Sequence, residues 1–377
     1  MLARTVLAVV ALSAAFGYAK DQCDPGKPYQ GPAPRSALKA GWLPANSRVE
    51  MPEFTSQVLD EKFLEIRVKL PATAGTVLLV DPRRGSWTRN FGTDQDQPVF
   101  WWASVGKLVT AVVIHQMIEE GSLAHASTLN RWFSDWPLGE QITIDDLLAH
   151  RSGIFSFNTD KKFRDERGYH SPQELLDIAT RHRPDFCPGT NCYYSNTGYV
   201  LLAMIAQQID GQPFHEIVEQ RIAIPLRLAS LIVVTPGMQI PHVILPADDD
   251  RTTLDEIATV HGAGGIVANA KDMLVLLNAI LTGRIVGSSE LLTMFDTLTP
   301  MFNTPLSYGR GVMVIDVPDA DKPTTWLGHI GGAPGAKALV IYDAPRRVWV
   351  AVAVNRVSPV EALVNMLLKQ LDELDQI

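Results

Sequence analysis

The sequence predicts an α+β fold in which an antiparallel sheet, built from both ends of the chain, carries a mainly helical insertion. Two patterns carry this reading. Strand-like runs separated by turn residues occur at 76–80 and 86–90, and short Val-rich runs follow at 311–316, 338–342 and 348–355, as strands of an antiparallel sheet would. Between about 126 and 246 the apolar residues instead fall at helical spacing, in short pieces joined by loops with Pro and Gly. Strand–helix, helical block, then strands and a final helix suits a layered sheet with an insertion. The expected division is 53–125 together with 255–377 for the sheet-bearing domain, and 126–254 for the helical one.

Taken in order, residues 1–19 read as a signal peptide. Arg4 supplies the positive start, 5–16 the apolar stretch, and Gly17-Tyr18-Ala19 a small-x-small cleavage site. About a dozen apolar residues are too few to span a bilayer, and no later run approaches that length. The expectation is a periplasmic or secreted protein with no integral membrane segment once the signal is removed. Residues 20–52 are rich in Pro, Gly and Lys without periodicity and read as an extended lead-in. The 377 residues are 46% hydrophobic and 20% charged, enough for a large core. Formal charge is −8, and −9 without residues 1–19, whose one charged group is Arg4. Such a chain is a poor partner for nucleic acid or anionic membranes. Of three cysteines, Cys187 and Cys192 are spaced to close a small loop in an oxidising compartment, leaving Cys23 over. No His or Cys pair has ligand spacing with a second pair to match, so no metal or other cofactor is expected.

After the two strands and the turn through Gly85, a helix begins at Ser104. Leu108, Val109, Val112, Val113, Met117 and Ile118 give it an apolar face, Gly121 ends it, and Ser104 is placed to cap it. Further helical pieces follow at 144–150, 172–181, 199–209 and 214–222. Gly262-Ala263-Gly264-Gly265 reads as a tight turn, because the Lys-Ser/Thr of a phosphate loop is absent. Asn269, with Asp272 three residues on, caps the next helix. Residues 362–374 close the chain as an amphipathic helix.

Ser104-Val105-Gly106-Lys107 is the most suggestive chemistry. A serine hydroxyl needs a base to become nucleophilic, and a lysine one turn later can reach it. The same spacing at Ser36 and Lys39 is followed by Gly41 and Pro44, where no useful helix forms. Two more elements appear once each: Tyr194-Ser195-Asn196, and His329-Ile330-Gly331-Gly332.

In this order the three elements resemble those of the penicillin-recognising serine hydrolases, on the branch of class C β-lactamases, DD-peptidases and related esterases and D-aminopeptidases. Leu147-Leu148-Ala149-His150-Arg151-Ser152-Gly153, Pro188-Gly189-Thr190, Pro225-Leu226 and Gly264-Gly265 also fall in the family's order, over roughly residues 50–355. The resemblance implies a β-lactamase/transpeptidase-like fold and an exported serine hydrolase acting on a small-molecule, short-peptide or ester substrate. By position it implies Ser104 as nucleophile, with Lys107 and Tyr194 sharing the proton and either serving as base. It further implies Asn196, His329 and Gly331 as substrate-binding residues, and the backbone N–H groups of Ser104 and Gly332 as oxyanion hole. Relatives with this motif set include Ser-Asp-Asn and Lys-Thr-Gly variants.

The departures bear on substrate. Ile330 lacks the hydroxyl that threonine offers a substrate carboxylate, a charge-assisted bond worth roughly 1.5–3 kcal/mol. This favours an ester or amide with no adjacent carboxylate over β-lactam or D-alanyl-D-alanine substrates, which stand as the alternative; an acylated sensor without turnover is a third. Trp101 and Trp102 fit either an acyl pocket or plain core. His150 reads as structural, Asp248-Asp249-Asp250 as a solvated loop, and Arg310 as a cation of unknown placement.

Overall fold

A computed structural model describes residues 23–27, 29–31, 53–247, 252–317 and 324–375. The signal segment, most of the 20–52 lead-in and Asp248-Asp249-Asp250 lie outside the described residues. Among the described residues twelve strands are formed: β1 Gly75–Asp81, β2 Gly85–Phe91, β3 Val99–Trp101, β4 Ile232–Val233, β5 Val243–Ile244, β6 Ile266–Ala268, β7 Thr299–Met301, β8 Leu306–Tyr308, β9 Met313–Val317, β10 Thr324–Ala333, β11 Ala336–Asp343 and β12 Val348–Val354. Eight make one sheet in the order β2-β1-β12-β11-β10-β9-β8-β7, antiparallel at every pairing. The chain's two ends meet at β1 and β12, with Val77 opposite Val352 and Leu79 opposite Val350.

Strand side chains alternate faces, and the two faces are covered differently. Val77, Leu79, Val350 and Val352 pack with Leu59, Phe63 and Ile66 of helix Glu53–Arg67 and with Leu363, Leu367 and Leu371 of helix Val360–Leu374. Leu78, Ala351 and Ala353 point the other way, into a larger core with Leu277 of helix Ala270–Leu281, Val109 and Val113 of helix Lys107–Glu119, and Leu201 and Ile205 of helix Asn196–Asp210. Asn269 caps its helix as expected, accepting from the Asp272 N–H at 2.8 Å.

A smaller sheet, β4-β6-β3-β5, joins strands from inside and outside the 126–254 stretch. β3 pairs parallel with β5 and antiparallel with β6. It delivers the chain into the turn that holds Ser104, so the nucleophile candidate sits where the two sheets and the helical block converge.

Sequence patterning misses several elements. Helix Glu53–Arg67 carries its buried residues at Leu59, Phe63 and Ile66, a helical spacing hidden behind the irregular lead-in. β7 and β8 have three residues each, and β10 contains Gly328, Gly331 and Gly332, which weaken a strand signal.

The disulfide is a correction. Cys187 bonds Cys23 across 164 residues of sequence, with Cα atoms 5.0 Å apart, and Cys192 is the free thiol. The described N-terminal segment runs along the 186–191 loop, where the Cys187 N–H donates to the Asp24 carbonyl at 2.9 Å. Asn191 donates to the Lys27 carbonyl at 2.7 Å, which brings Cys23 within reach. Cys192 instead turns inward toward the Ala149 carbonyl, 3.5 Å away, and burial pushes its thiol up to about 12. A cross-link over so long a loop is worth about 5 kcal/mol by chain entropy. Cys23→Ser is therefore expected to lower unfolding free energy by roughly 2–5 kcal/mol in urea titrations, and a reductant to do the same to the wild type. A wild-type transition unmoved by reductant contradicts this.

Candidate active site

The chain leaves β3 through Trp102 into a 3-10 turn, Ala103–Gly106, and only then enters helix Lys107–Glu119. Ser104 lies inside that turn and makes no capping bond, and the helix N-cap is Gly106. The cap expected at Ser104 is thus replaced by a tighter turn that leaves its hydroxyl uncommitted to the backbone. Ala103, just before it, has φ 45°, a left-handed conformation that costs a non-glycine residue on the order of 1 kcal/mol. Surrounding bonds hold it there. The Trp102 N–H donates to the Ile266 carbonyl at 3.2 Å, and the indoles of Trp101 and Trp102 donate to the Gly264 and Ala268 carbonyls, each at 2.8 Å.

Two glycines make room for this turn. A Cβ on Gly264, whose φ is +150°, would sit 2.3 Å from the Ala103 carbonyl oxygen and 3.0 Å from the Ser104 nitrogen. One on Gly331 would sit 2.3 Å from the Trp102 carbonyl oxygen. Backbone is thereby packed on backbone from both sides of the nucleophile candidate.

Lys107 is fully buried. Its Nζ lies 3.2 Å from Ser104 Oγ, 2.7 Å from Asn196 Oδ1 and 2.6 Å from the Ala263 carbonyl oxygen. No carboxylate among the described residues forms a salt bridge with it. Burial pushes its pKa well below the ordinary lysine value. A neutral amine has two N–H bonds and one lone pair. The two carbonyl-type acceptors at the shortest distances take both N–H bonds, and the lone pair is left for the Ser104 hydroxyl proton.

Asn196 opens helix Asn196–Asp210 and is held on three sides. Its N–H donates to Ser156 Oγ at 2.9 Å, its Nδ2 to Asn158 Oδ1 at 2.9 Å, and its Oδ1 accepts from Lys107. The Tyr194 ring lies 4.8 Å from Lys107 Nζ. Burial pushes its phenol above the ordinary tyrosine value, and the nearby Ser104 hydroxyl offsets part of that rise. The phenol oxygen is buried without a protein partner in hydrogen-bond geometry. The ring itself is fixed by stacking on His150, 4.2 Å between centroids, and by Phe302 and Tyr308 at 5.4 and 6.0 Å. His150 is structural, as expected. Its Nδ1 accepts the Ser195 N–H at 3.1 Å, and burial keeps it neutral, well below the ordinary histidine range.

Ser104, Asn196 and Gly332 line one cavity of about 540 Å³, with Trp101, Phe157, Phe163 and Val260 as apolar wall and Arg164, Glu166, Arg167 and Glu256 among its polar residues. Trp101 is thus pocket wall and Trp102 core. The placement of His329 and Gly331 differs from expectation: neither lines this cavity. His329 is fully buried, 2.9 Å from the Tyr308 hydroxyl through Nε2 and 2.7 Å from its neighbour's carbonyl through Nδ1. Since that carbonyl only accepts, Nδ1 carries the proton and Nε2 accepts from Tyr308. Burial and nearby Lys107 push His329 down to about 3, so it offers a substrate no charge at neutral pH. Arg310 is elsewhere too, bonded to Asp145 and Asp296. Ser156, Asn158, Tyr199 and Tyr308 support the cluster, but no sequence spacing marks them.

A serine within reach of a buried lysine, beside a part-buried tyrosine and a cleft, is an arrangement of the serine-hydrolase type. The chain belongs to the Beta-lactamase family, whose sequence profile matches residues 73–373. Members of this family are serine hydrolases, among them carboxypeptidases and amidases. The chain is 25% identical over 281 residues to the putative penicillin-binding protein PbpX of Bacillus subtilis, covering 71% of this chain and 66% of that protein's length. It resembles the solved D-stereospecific amidohydrolase of a Streptomyces species at 26% identity and TM-score 0.69, covering 80% of this chain and 93% of that one. The D-amino acid amidase of Ochrobactrum anthropi SV3 shares the fold at 22% identity and TM-score 0.75, over 85% of this chain and 99% of that one.

Two neutral histidines, His329 buried and His261 partly buried, make acid stability testable. His329 and His261 are pushed down to about 3 and about 4 by burial. Below the unfolded value of about 6.5, the unfolded chain takes up protons that the folded chain does not, so stability falls as pH drops from about 6.5 toward 4. Urea midpoints should decline over this window, and His261→Gln should flatten the decline by about 2 kcal/mol. A pH dependence in His261→Gln and His329→Gln unchanged from that of the wild type would count against this assignment.

Proposed function

We propose that the protein is an exported serine hydrolase that cleaves an ester or amide bond through an acyl-enzyme on Ser104. The observation that carries this is Lys107 Nζ, 3.2 Å from Ser104 Oγ, with both remaining donor directions taken by Asn196 and Ala263. Lys107 takes the Ser104 proton as Oγ attacks the substrate carbonyl. Oxyanion charge falls to the backbone N–H groups of Ser104 and Gly332, where loss of one donor typically costs about 10²–10³ in rate. Tyr194, kept neutral by burial, gives its proton to the leaving nitrogen or oxygen and regains one from Lys107. Water then repeats the cycle in reverse on the acyl-enzyme.

An amide or ester without a neighbouring carboxylate fits best. Ile330, partly buried against the cluster of Met301, Leu306, Tyr308 and Met313, offers no hydroxyl, His329 is uncharged, and the cleft's cations Arg164 and Arg167 are matched by Glu166 and Glu256. The relative described as a D-stereospecific amidohydrolase supports amide chemistry. Export is supported by the Cys23–Cys187 disulfide, which persists in oxidising compartments.

Assays with p-nitrophenyl esters, D-amino-acid amides and a chromogenic cephalosporin test the reading. Ester or amide turnover is expected, falling at least about 10³-fold in Ser104→Ala and in Lys107→Arg, whose guanidinium cannot give up its proton. Full turnover by Ser104→Ala overturns the mechanism; cephalosporin turnover alone overturns the substrate class. Ile330→Thr is expected to strengthen binding of carboxylate-bearing acyl compounds about tenfold, and unchanged inhibition constants would contradict the role given to that side chain.

A further inference from the structure

Behind the active site, helix Lys107–Glu119 carries a second polar cluster. His115, two turns beyond Lys107, is fully buried. His115 Nδ1 lies 2.8 Å from Glu290 Oε2, and His125 Nε2, from the loop after the helix, lies 2.9 Å from the same oxygen. The three ligand-type atoms all fall within 4.8 Å of one another. Each ring is anchored through its other nitrogen: His115 Nε2 on the Arg310 carbonyl at 3.1 Å, His125 Nδ1 on Asp145 at 2.5 Å. Arg310 in turn grips Asp145 with two bonds, at 2.8 and 2.7 Å.

Donor counting shows what is missing. All four ring nitrogens face oxygens that can only accept: a backbone carbonyl, one Asp145 oxygen, and one Glu290 oxygen twice. Where the rings carry their protons on the outer nitrogens, toward Arg310 and Asp145, two lone pairs converge on the Glu290 carboxylate and leave a place that protons or a metal ion can fill. Histidines oriented from behind by a carboxylate and a carbonyl, with their inner nitrogens turned toward a shared carboxylate, form the arrangement of a metal site with an oriented outer shell. Side-chain solvent exposure of 26% at His125 and 13% at Glu290 puts the cluster in reach of solvent.

We propose that His115, His125 and Glu290 bind a divalent transition-metal ion of the zinc type, with water as fourth ligand. A tetrahedral zinc needs ligand atoms about 3.3 Å apart, so the two nitrogen–oxygen separations, 2.8 and 2.9 Å, open by roughly half an ångström on binding. His115 lies on the helix of Lys107, Glu290 on helix Ser288–Asp296, and Asp145 on helix Ile144–Leu148. The ion therefore clamps the nucleophile helix to the helical block and to the approach to β7. The site is independent of the hydrolase reading, and none of its residues touches the cleft.

Full-length mature protein with a histidine-free tag, stripped with EDTA, is to be titrated with Zn²⁺ by calorimetry and with Co²⁺ by visible absorption. One saturable Zn²⁺ per chain is expected, weakened at least about tenfold in His125→Gln and in Glu290→Gln. His182→Gln, which alters a histidine bonded to Asp160 elsewhere, should bind as the wild type does. Absent Zn²⁺ binding, or equal binding in all variants, overturns the proposal. Should the variants fail to fold, wild-type Co²⁺ absorption decides: the intense bands of a four-coordinate ion support the site, and the weak bands of a six-coordinate ion reject it.

Discussion

A lysine with no countercharge, sealed in the core one turn after a serine, is the constraint on which the rest of this structure depends. An ammonium there would lose its hydration with only neutral carbonyl-type acceptors in return, so burial favours the neutral amine. Asn196 and the Ala263 carbonyl do not neutralise Lys107; they orient it. Their two bonds define which way the lone pair points, and it points at Ser104. The state of this lysine is in this sense a packing problem, solved by everything that keeps water and carboxylates away from one nitrogen.

Several otherwise unrelated features follow from that need. The turn at Ala103–Gly106 is strained, and it survives because Gly264 and Gly331 let two other backbone segments press on it. His150 gives up its own ionisation to stack under Tyr194 and to accept the Ser195 N–H, which sets the approach of the Tyr194-Ser195-Asn196 segment. His329 is neutral for the same reason as Lys107, since burial removes the hydration a positive charge would need. The long-range Cys23–Cys187 bond ties the described N-terminal segment to the loop that leads into Tyr194. Stability far from the cleft and chemistry within it thus share the same elements.

Much of this was legible in the sequence, for physical reasons that differ by element. Val-rich runs and the Leu-rich C-terminal helix announce themselves because period and composition are local properties. Ser104, Lys107, Tyr194 and Asn196 were legible because their order and spacing match a family pattern, and the structure brings all four within one cluster. Burial of His329 was not legible: it depends on Tyr308, from a three-residue strand, closing over it. The partner of Cys187 was not legible either, since a neighbour five residues away in sequence loses to one 164 residues away that the fold delivers. The same holds for His115, His125 and Glu290, which no spacing rule connects and which meet only because three elements cross behind the active site.

The most direct test of the account is the ionisation state of Lys107, read by ¹⁵N NMR of protein labelled at lysine Nζ, with the resonance assigned by its loss in Lys107→Gln. At about pH 7.5, where ordinary lysines are ammonium ions, the account predicts a neutral-amine resonance for Lys107. An ammonium resonance that persists to about pH 9.5, near the ordinary lysine range, would contradict it.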